Sequence, residues 1–311
     1  MSKPRTTGAL LALALSASAF AVLPAASVAA APTTSSVECA ADEGSAARVR
    51  PGAHAHERNE VSQKEVAAVD AQMRSRLASK KPVAAAAMNV SVVFHVVYAS
   101  DGTGNVSDSA INAQIAEMNQ DFAGQEAPGT AANTEMQFTL QAVRRWQNDA
   151  WFNDPDSASG EAALKTATHE GDSRTLNIWS TNTSYLGYAT FPWWYAADPE
   201  LDGIVIQWGS LPGGPIDNYN LGKTASHEAG HWAGLYHTFQ GGCSKDNDLV
   251  ADTPAQRTAT SGCPEGKDTC RGTTGLDPIH NYMDYSYDPC YNQFTPGQAS
   301  RILSAWTAYR A

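Results

Sequence analysis

The sequence predicts an α/β fold with a twisted, mostly parallel β-sheet, followed by a loop-rich part that ends in a helix. Apolar, β-branched runs alternate with segments of helical periodicity between residues 90 and 208, which is typical of α/β sheets. A histidine-rich helix follows this alternation. Four of the five cysteines lie after that helix, in a stretch with little regular patterning.

Local composition predicts the individual elements. Val90–Tyr98 is apolar and β-branched, as a buried strand should be, and His95 inside it is expected to be a core residue. Thr295 and Pro296 predict a helix start, as N-cap and first helical residue. The other predicted elements are a leader helix near Glu65–Leu77, helices at Asp108–Phe122, Ser159–Thr168 and from about Lys223, and strands at Gln137–Trp146, Thr175–Thr181, Tyr185–Pro192 and Gly203–Trp208.

Residues 1–31 are predicted to be a signal peptide, because Lys3 and Arg5 precede the apolar run Ala9–Leu23. The run is too short to cross a membrane before Pro24. We therefore expect a secreted protein without a membrane anchor. A composition of 42% hydrophobic and 17% charged residues fits a folded protein, and the net charge of −11 gives no support to nucleic-acid binding.

One stretch, which reads H-E-x-x-H-x-x-G-x-x-H from His227 to His237, predicts the chemistry. On a helix, His227 and His231 lie one turn apart on the same face and can direct imidazole nitrogens at one point. Gly234 can adopt the left-handed conformation that ends a helix, which would return His237 as a third ligand. Three imidazoles suit a catalytic zinc ion with an open fourth position, and Glu228 is placed to act on water there. The alternative is an ordinary amphipathic helix with packed or solvated histidines.

This stretch resembles the long zinc-binding consensus of the metzincin metallopeptidases. With the preceding run Tyr219–Ser226, it resembles the pappalysin family, which includes ulilysin-like and cytophagalysin-like enzymes. The resemblance covers roughly residues 185–295 and implies a metzincin-type catalytic domain with an edge strand. It also implies that Met283, in Asn-Tyr-Met-Asp-Tyr, forms the methionine turn beneath the metal and that Tyr285 lies near the metal and can assist the oxyanion.

The function implied is that of a secreted zinc endopeptidase in which Glu228 is the general base. Protein or peptide substrates would bind extended along an edge strand, for which Tyr185–Pro192 is the candidate; an ordinary aromatic strand is the alternative. The segment Met283–Cys290, with Tyr287 and Asp288, is expected to form the pocket for the residue after the scissile bond. Two other functions stay open: an inactive binding protein on this fold, and a zinc hydrolase with a non-protein substrate.

The four clustered cysteines allow three disulfide pairings. The resemblance implies the pairs Cys243–Cys270 and Cys263–Cys290. In the loop between Cys243 and Cys263, Asp248, Asp252 and Thr253 match the family's D-x-V-x-D-T-P element and are the candidate ligands of a structural calcium ion. A solvated acidic loop is the alternative.

The predicted organisation is a signal peptide (1–31), a pro-segment (32–85) and a catalytic domain (86–311), divided into subdomains at 86–234 and 235–311. We expect a monomer that is made as a latent zymogen.

Cys39 lies in the predicted pro-segment. Its thiolate could occupy the open zinc position, as in the cysteine switch of several metzincins. An incidental, unpaired cysteine is the alternative. Lys80 and Lys81 mark a candidate processing zone.

Overall fold

The fold places one buried helix between a β-sheet and a loop-rich C-terminal part. A computed structural model of the chain describes residues 48–53, 58, 60–80 and 88–311. The predicted signal peptide and Cys39 lie outside these residues. The helices are α1 (Gln63–Ala78), α2 (Asp108–Phe122), α3 (Asp149–Asn153), α4 (Ala158–Thr168), α5 (Lys223–Trp232) and α6 (Pro296–Ala305), and the strands are β1 (Met88–Tyr98), β2 (Met136–Gln147), β3 (Thr175–Thr181), β4 (Gly187–Ala189) and β5 (Ile204–Gln207).

The five strands form one sheet in the order β2-β1-β3-β5-β4. β1 pairs in parallel with β2 and β3, and β3 pairs in parallel with β5. β4 is antiparallel to β5 and lies at the edge. The predicted α/β class and the mostly parallel sheet with an edge strand are therefore confirmed.

Helices cover both faces of this sheet, which explains why its strands read as continuous apolar runs. On one face, Phe94 of β1 belongs to a core cluster with Phe122 of α2 and Trp232 of α5. On the other face, Val97 of β1 belongs to a cluster with Leu164 of α4. The histidine-bearing helix thus packs beneath the sheet, as predicted.

The edge strand is shorter than the predicted Tyr185–Pro192. Only Gly187–Ala189 pairs with β5, and Phe191 instead packs in an aromatic cluster with Tyr236. Tyr185 forms an isolated antiparallel bridge with Val49 of the predicted pro-segment (residues 32–85), which we call the leader. The aromatic run therefore divides between contact with the leader, the sheet and a buried cluster beside the cleft.

Two disulfides hold the loop-rich part that follows α5. Cys243 is bonded to Cys270 and Cys263 to Cys290, the pairs that the resemblance implies. Each bond joins residues 27 positions apart, and closing a loop of that size contributes roughly 3–4 kcal/mol to stability. The chain ends in α6, which begins with a capping box at Thr295 and continues into a π-helical turn at Trp306–Arg310.

The leader helix α1 packs on the C-terminal helix. Ser62 caps its N-terminus, and Val66, Val69 and Met73 are its buried residues. Met73 packs against Ala305 and its neighbours. No helix among the described residues is long and apolar enough to cross a membrane.

Candidate active site

Three histidines converge at the base of a cleft beside the edge strand. His227 and His231 lie one turn apart on α5, and His237 follows the turn after the helix; all three side chains are buried. Ligand atoms of the three rings lie within 4.8 Å of one another, and Nε2 of His231 is 2.9 Å from Nε2 of His237. The structure thus brings together the three predicted zinc ligands.

Backbone carbonyls hold two of these rings in one orientation. Nδ1 of His227 donates to the carbonyl oxygen of Tyr282 at 2.6 Å, and Nδ1 of His231 donates to that of Leu235 at 2.8 Å. With the proton on Nδ1, the lone pair of Nε2 faces the shared point, as metal ligation requires. Burial lowers the pKa of His231 to about 4 and that of His227 well below its usual value. The neutral donor set therefore fits a zinc ion.

The turn between the second and third histidine depends on Gly234. Its φ of +102° lies in the left-handed region, and a Cβ there would lie 2.6 Å from Cβ of Ala305. Any other residue would therefore be strained and would clash with α6. This position is the predicted helix end that returns His237 to the metal side.

A buried ion pair supports the same turn, and sequence reasoning did not find it. Arg310 binds Asp202 with both terminal nitrogens, at 2.9 and 3.1 Å, and donates to the carbonyl oxygen of Trp232 at 3.0 Å. Trp232 Nε1 donates to the same carboxylate at 2.9 Å. Arg301 donates to the carbonyl oxygen of Gly234 at 3.0 Å. Two arginines of the C-terminal segment thus satisfy the carbonyls where α5 ends.

Glu228 lies between the first two histidines and against the edge strand. A Cβ on Gly187 would approach Glu228 Cγ to 2.7 Å and Oε1 to 2.9 Å, so glycine allows the strand backbone to come close. The cleft has a volume of about 470 Å³, and Glu228, His231 and Phe191 contribute to its lining. A carboxylate, two ligand histidines and a strand backbone therefore share one cavity.

Met283 and Tyr285 complete the set of predicted residues. Met283 is fully buried beneath α5, and a Cβ on Gly230 would lie 2.4 Å from its sulfur. The glycine between the histidines therefore makes room for the methionine. The ring of Tyr285 lies 4.8 Å from that of His237 and 5.6 Å from that of His227, measured between centroids.

Two further groups of potential ligand side chains occur among the described residues, and neither is open to a metal. Cys263 and Cys290 near His280 are joined in a disulfide. The group of three carboxylates, Glu117, Asp121 and Glu126, already surrounds a lysine. Lys223 Nζ lies 2.5–2.7 Å from all three of them.

Comparison with known proteins agrees with this site. A family model described as Peptidase_M43, pregnancy-associated plasma protein-A, matches residues 177–306. An extracellular metalloprotease of Verticillium alfalfae is 47% identical over 250 residues, which cover 78% of this chain and 84% of the relative. One of Neurospora crassa is 44% identical over 261 residues, which cover 77% and 85%.

The chain belongs to the pappalysin family of metallopeptidases.

Solved structures agree with this assignment. Mature mirolysin of Tannerella forsythia, in complex with a cleaved peptide, has a TM-score of 0.61 at 32% identity and covers 71% of this pappalysin and 91% of its own chain. A promirolysin variant has a TM-score of 0.67 at 29% identity, with 79% and 88% covered. The relatives are named as extracellular, which confirms the predicted localisation.

The segment expected to form the specificity pocket contains a buried ion pair that the sequence did not predict. Asp288 is fully buried, and its carboxylate accepts a hydrogen bond from Arg48 of the leader at 3.1 Å. The Arg48 guanidinium lies 5.3 Å from the ring of Tyr219 and 5.4 Å from that of Tyr291. This pappalysin therefore has a buried carboxylate in the segment expected to select the residue after the scissile bond, and Arg48 of the leader pairs with it.

In the predicted calcium loop, buried oxygens lack hydrogen-bond partners. Asn247 Oδ1 and Asp248 Oδ2 are buried without one. The Thr253 hydroxyl lies close enough to Asp248 to lower its pKa, yet makes no hydrogen bond of normal geometry. Burial nevertheless raises the pKa of Asp248 to about 7. Uncompensated oxygens of this kind are the donor set that a hard cation requires.

Asp252, the remaining candidate calcium ligand, has a different role in the structure. Its carboxylate accepts hydrogen bonds from the Thr295 hydroxyl at 2.7 Å and from the Gly297 backbone N–H at 2.8 Å. It thus joins the loop to the N-terminus of α6, where a negative charge is favourable. Its role as a calcium ligand stays a prediction.

Proposed function

We propose that the protein is a secreted zinc endopeptidase that hydrolyses peptide bonds within proteins. The observation that carries the proposal is the convergence of three buried, neutral histidines with Glu228, above Met283 and beside an edge strand. The intact set argues against an inactive binding protein. Family membership makes a non-protein substrate the less favoured alternative.

The mechanism assigns each role to a residue of the chain. His227, His231 and His237 would hold a zinc ion, which would supply Lewis-acid activation of the scissile carbonyl and of water. Glu228 takes the proton of the attacking water and delivers it to the leaving amine. Tyr285, beside His237, donates a hydrogen bond to the oxyanion. The backbone next to Gly187 aligns an extended substrate above Glu228.

Casein digestion with matched zinc analysis tests this assignment. Glu228→Gln should lower the rate at least about 10³-fold while one zinc per molecule is retained, because only the proton acceptor is lost. The control, Glu200→Gln, changes an exposed carboxylate and should leave the rate unchanged. Full activity of Glu228→Gln would disprove the mechanism. A zinc-loaded wild type that cleaves no protein would favour the binding-protein alternative.

We also propose that Asp288 directs cleavage to bonds that precede arginine or lysine. A buried carboxylate without a charge partner is costly, so a basic side chain gains a charge-assisted hydrogen bond on pairing with Asp288. Arg48 occupies the pocket in this way. Peptide-library cleavage should show a basic residue after the cut. Asp288→Asn should reduce that preference at least about tenfold, and an unchanged preference would contradict the role of the pocket.

Latency is proposed to result from the leader. Residues 60, 61 and 63 line the cleft with Glu228. Gln63 donates to the carbonyl oxygen of Gln240 at 2.6 Å, and Gln240 donates to that of Val61 at 2.7 Å. The likeness to a promirolysin variant supports a zymogen, with the pro-segment at 32–85 and the catalytic domain at 86–311. The Cys39 switch stays a prediction, because Cys39 lies outside the described residues.

A further inference from the structure

A cage of three carboxylates surrounds the lysine that begins α5. Lys223 is almost completely buried, and its Nζ lies 2.5 Å from Glu117, 2.7 Å from Asp121 and 2.6 Å from Glu126. Glu117 and Asp121 belong to α2, and Glu126 follows that helix. We call these four residues the acid cage. Burying several ionisable groups is costly even when they are paired, so stability alone does not account for the acid cage.

The phenol of Tyr282 closes the acid cage. Its hydroxyl lies 2.8 Å from Oδ1 of Asp121 and 2.9 Å from Oε2 of Glu126, so its single proton has a carboxylate acceptor on either side. Lys223 Nζ lies 5.5 Å from the centre of the Tyr282 ring, within the range of a cation–π interaction. Tyr282 is fully buried. The acid cage therefore fixes the position of this side chain.

The backbone of Tyr282 in turn holds the first predicted zinc ligand. Its carbonyl oxygen accepts the Nδ1–H of His227 at 2.6 Å, which directs Nε2 of this ring towards the point shared by the three histidines. A carbonyl can hold an imidazole in one orientation only if its own peptide unit is fixed. The acid cage supplies this restraint through Asp121, which is 161 positions away from Tyr282 in the sequence.

Asp121 restrains the same histidine by a second route. Its Oδ2 accepts a hydrogen bond from the Ser226 hydroxyl at 2.5 Å, and Ser226 immediately precedes His227 on α5. Asp121 thus contacts both the helix turn that carries His227 and the tyrosine that holds the ring. His231 differs, because its Nδ1 donates to the carbonyl oxygen of Leu235, four residues further along the same segment. The acid cage therefore acts on the first ligand.

We propose that Tyr282 and Asp121 are positioning residues for the zinc site. Tyr282 holds the ring of His227, and Asp121 holds both Tyr282 and the turn before His227. The inference rests on the proposed zinc peptidase. Because both side chains are fully buried, neither can contact a substrate. Their loss should therefore change metal affinity and ligand geometry and leave KM unchanged.

Tyr282→Phe tests the proposal, because it removes the hydroxyl and keeps both the ring and the backbone carbonyl. Zinc affinity, measured by competition with a chelator, should fall at least about tenfold, as is usual when an outer partner of a metal ligand is lost. In the cobalt-substituted protein, the visible absorption bands should shift, since they depend on the geometry of the ligands. At saturating zinc, kcat should fall and KM should stay that of wild type. Ser226→Ala should lower zinc affinity several-fold.

Thr168→Val is the matched control. The Thr168 hydroxyl is buried and accepts the Nε1–H of Trp179 at 2.8 Å, on the face of the sheet opposite α5. Its thermal unfolding midpoint should fall, but its zinc affinity and cobalt spectrum should stay those of wild type. Wild-type zinc affinity in Tyr282→Phe would overturn the proposal, and so would an equal cobalt shift in Thr168→Val. If Tyr282→Phe does not fold, Ser226→Ala decides by the same measurement.

Metal analysis and casein digestion of wild type separate this failure from that of the proposed function. A wild type that binds no zinc, or that binds zinc and cleaves no protein, refutes the peptidase. A wild type that binds zinc and cleaves casein, beside a Tyr282→Phe variant of equal zinc affinity, refutes the positioning role alone.

Discussion

Helices α5 and α1 both border the cleft, but they are built into the molecule in opposite ways. All ten residues of α5 are buried, whereas three of the sixteen residues of α1 are. Burial of three apolar side chains contributes roughly 1.5–3 kcal/mol each, as an upper limit, before the entropy cost of ordering the leader. α5 is thus part of the core, and we expect α1 to be a cover that can leave while the domain stays folded.

The largest expected difference between the two helices concerns stability, and removal of the arginine that contacts the end of α5 tests it. Arg310→Met leaves Asp202 buried without its charge partner, which should lower the free energy of unfolding by about 3–5 kcal/mol. Arg76→Met is the matched substitution in α1. It removes a 3.4 Å hydrogen bond to the carbonyl oxygen of Ala308 and should lower the free energy of unfolding by less than about 1 kcal/mol. Urea denaturation measures both. Equal losses would refute the contrast.

A second test separates stability from metal binding. Gly230→Ala places a Cβ 2.4 Å from the sulfur of Met283, and this overpacking should cost about 1–3 kcal/mol and weaken zinc retention. Ala67→Gly, at an exposed position in α1, should cost about 1 kcal/mol through helix propensity and leave zinc unaffected. Dialysis against a chelator, followed by metal analysis, measures retention. Equal zinc loss in both variants would place α1 in the core.

A third test concerns the calcium loop, which belongs to neither helix. Burial raises the pKa of Asp248 to about 7 in the calcium-free fold, whereas an aspartate in the unfolded chain has a pKa of about 3.9. The folded protein therefore binds the carboxyl proton of Asp248 more tightly than the unfolded chain does. The contribution of protonated Asp248 to the free energy of unfolding is therefore complete below about pH 4 and is lost as the pH rises through 7. Bound calcium favours the ionised form, so its stabilisation should grow over the same interval.

Thermal unfolding between about pH 5 and 8 measures this effect. Without calcium, the Tm should fall by several degrees over the interval, and calcium should restore it. Asp248→Asn should remove both the fall and the response to calcium, whereas Asp246→Asn, at an exposed neighbour, should keep both. A Tm that does not respond to calcium at pH 8 would contradict the proposed site.

The features that the sequence predicted well are those carried by local patterns. The helix at Asp108–Phe122 and the strand at Thr175–Thr181 have the predicted bounds, and the motif spacing alone brings His227, His231 and His237 together. The missed features are pairs of distant residues. Asp202 and Arg310 are 108 positions apart, and Arg48 and Asp288 are 240 apart, and no periodicity connects either pair.

The missed pairs nevertheless left a weak signal in the sequence. Asp288 lies in the segment expected to form the specificity pocket, but its carboxylate could not be assigned a direction, because Pro289 follows it and the local backbone is irregular. The fold determines that direction: the Asp288 carboxylate also accepts the Leu221 N–H at 3.0 Å, which ties it to the chain before α5. Specificity thus depends on tertiary contacts that composition does not encode.

The smallest expected effect comes from a substitution that weakens the docking of α1 and leaves the core around α5 unchanged. Met73→Ala removes a buried side chain of α1 that packs against Ala305, and should weaken docking of the leader by about 1–2 kcal/mol. Hydrolysis of a fluorogenic peptide by the unprocessed protein should then rise several-fold, because the leader leaves the cleft more often. The unfolding midpoint of the processed domain should match that of wild type, since α1 is absent from it. If that midpoint falls as well, α1 is retained after processing and belongs to the mature enzyme.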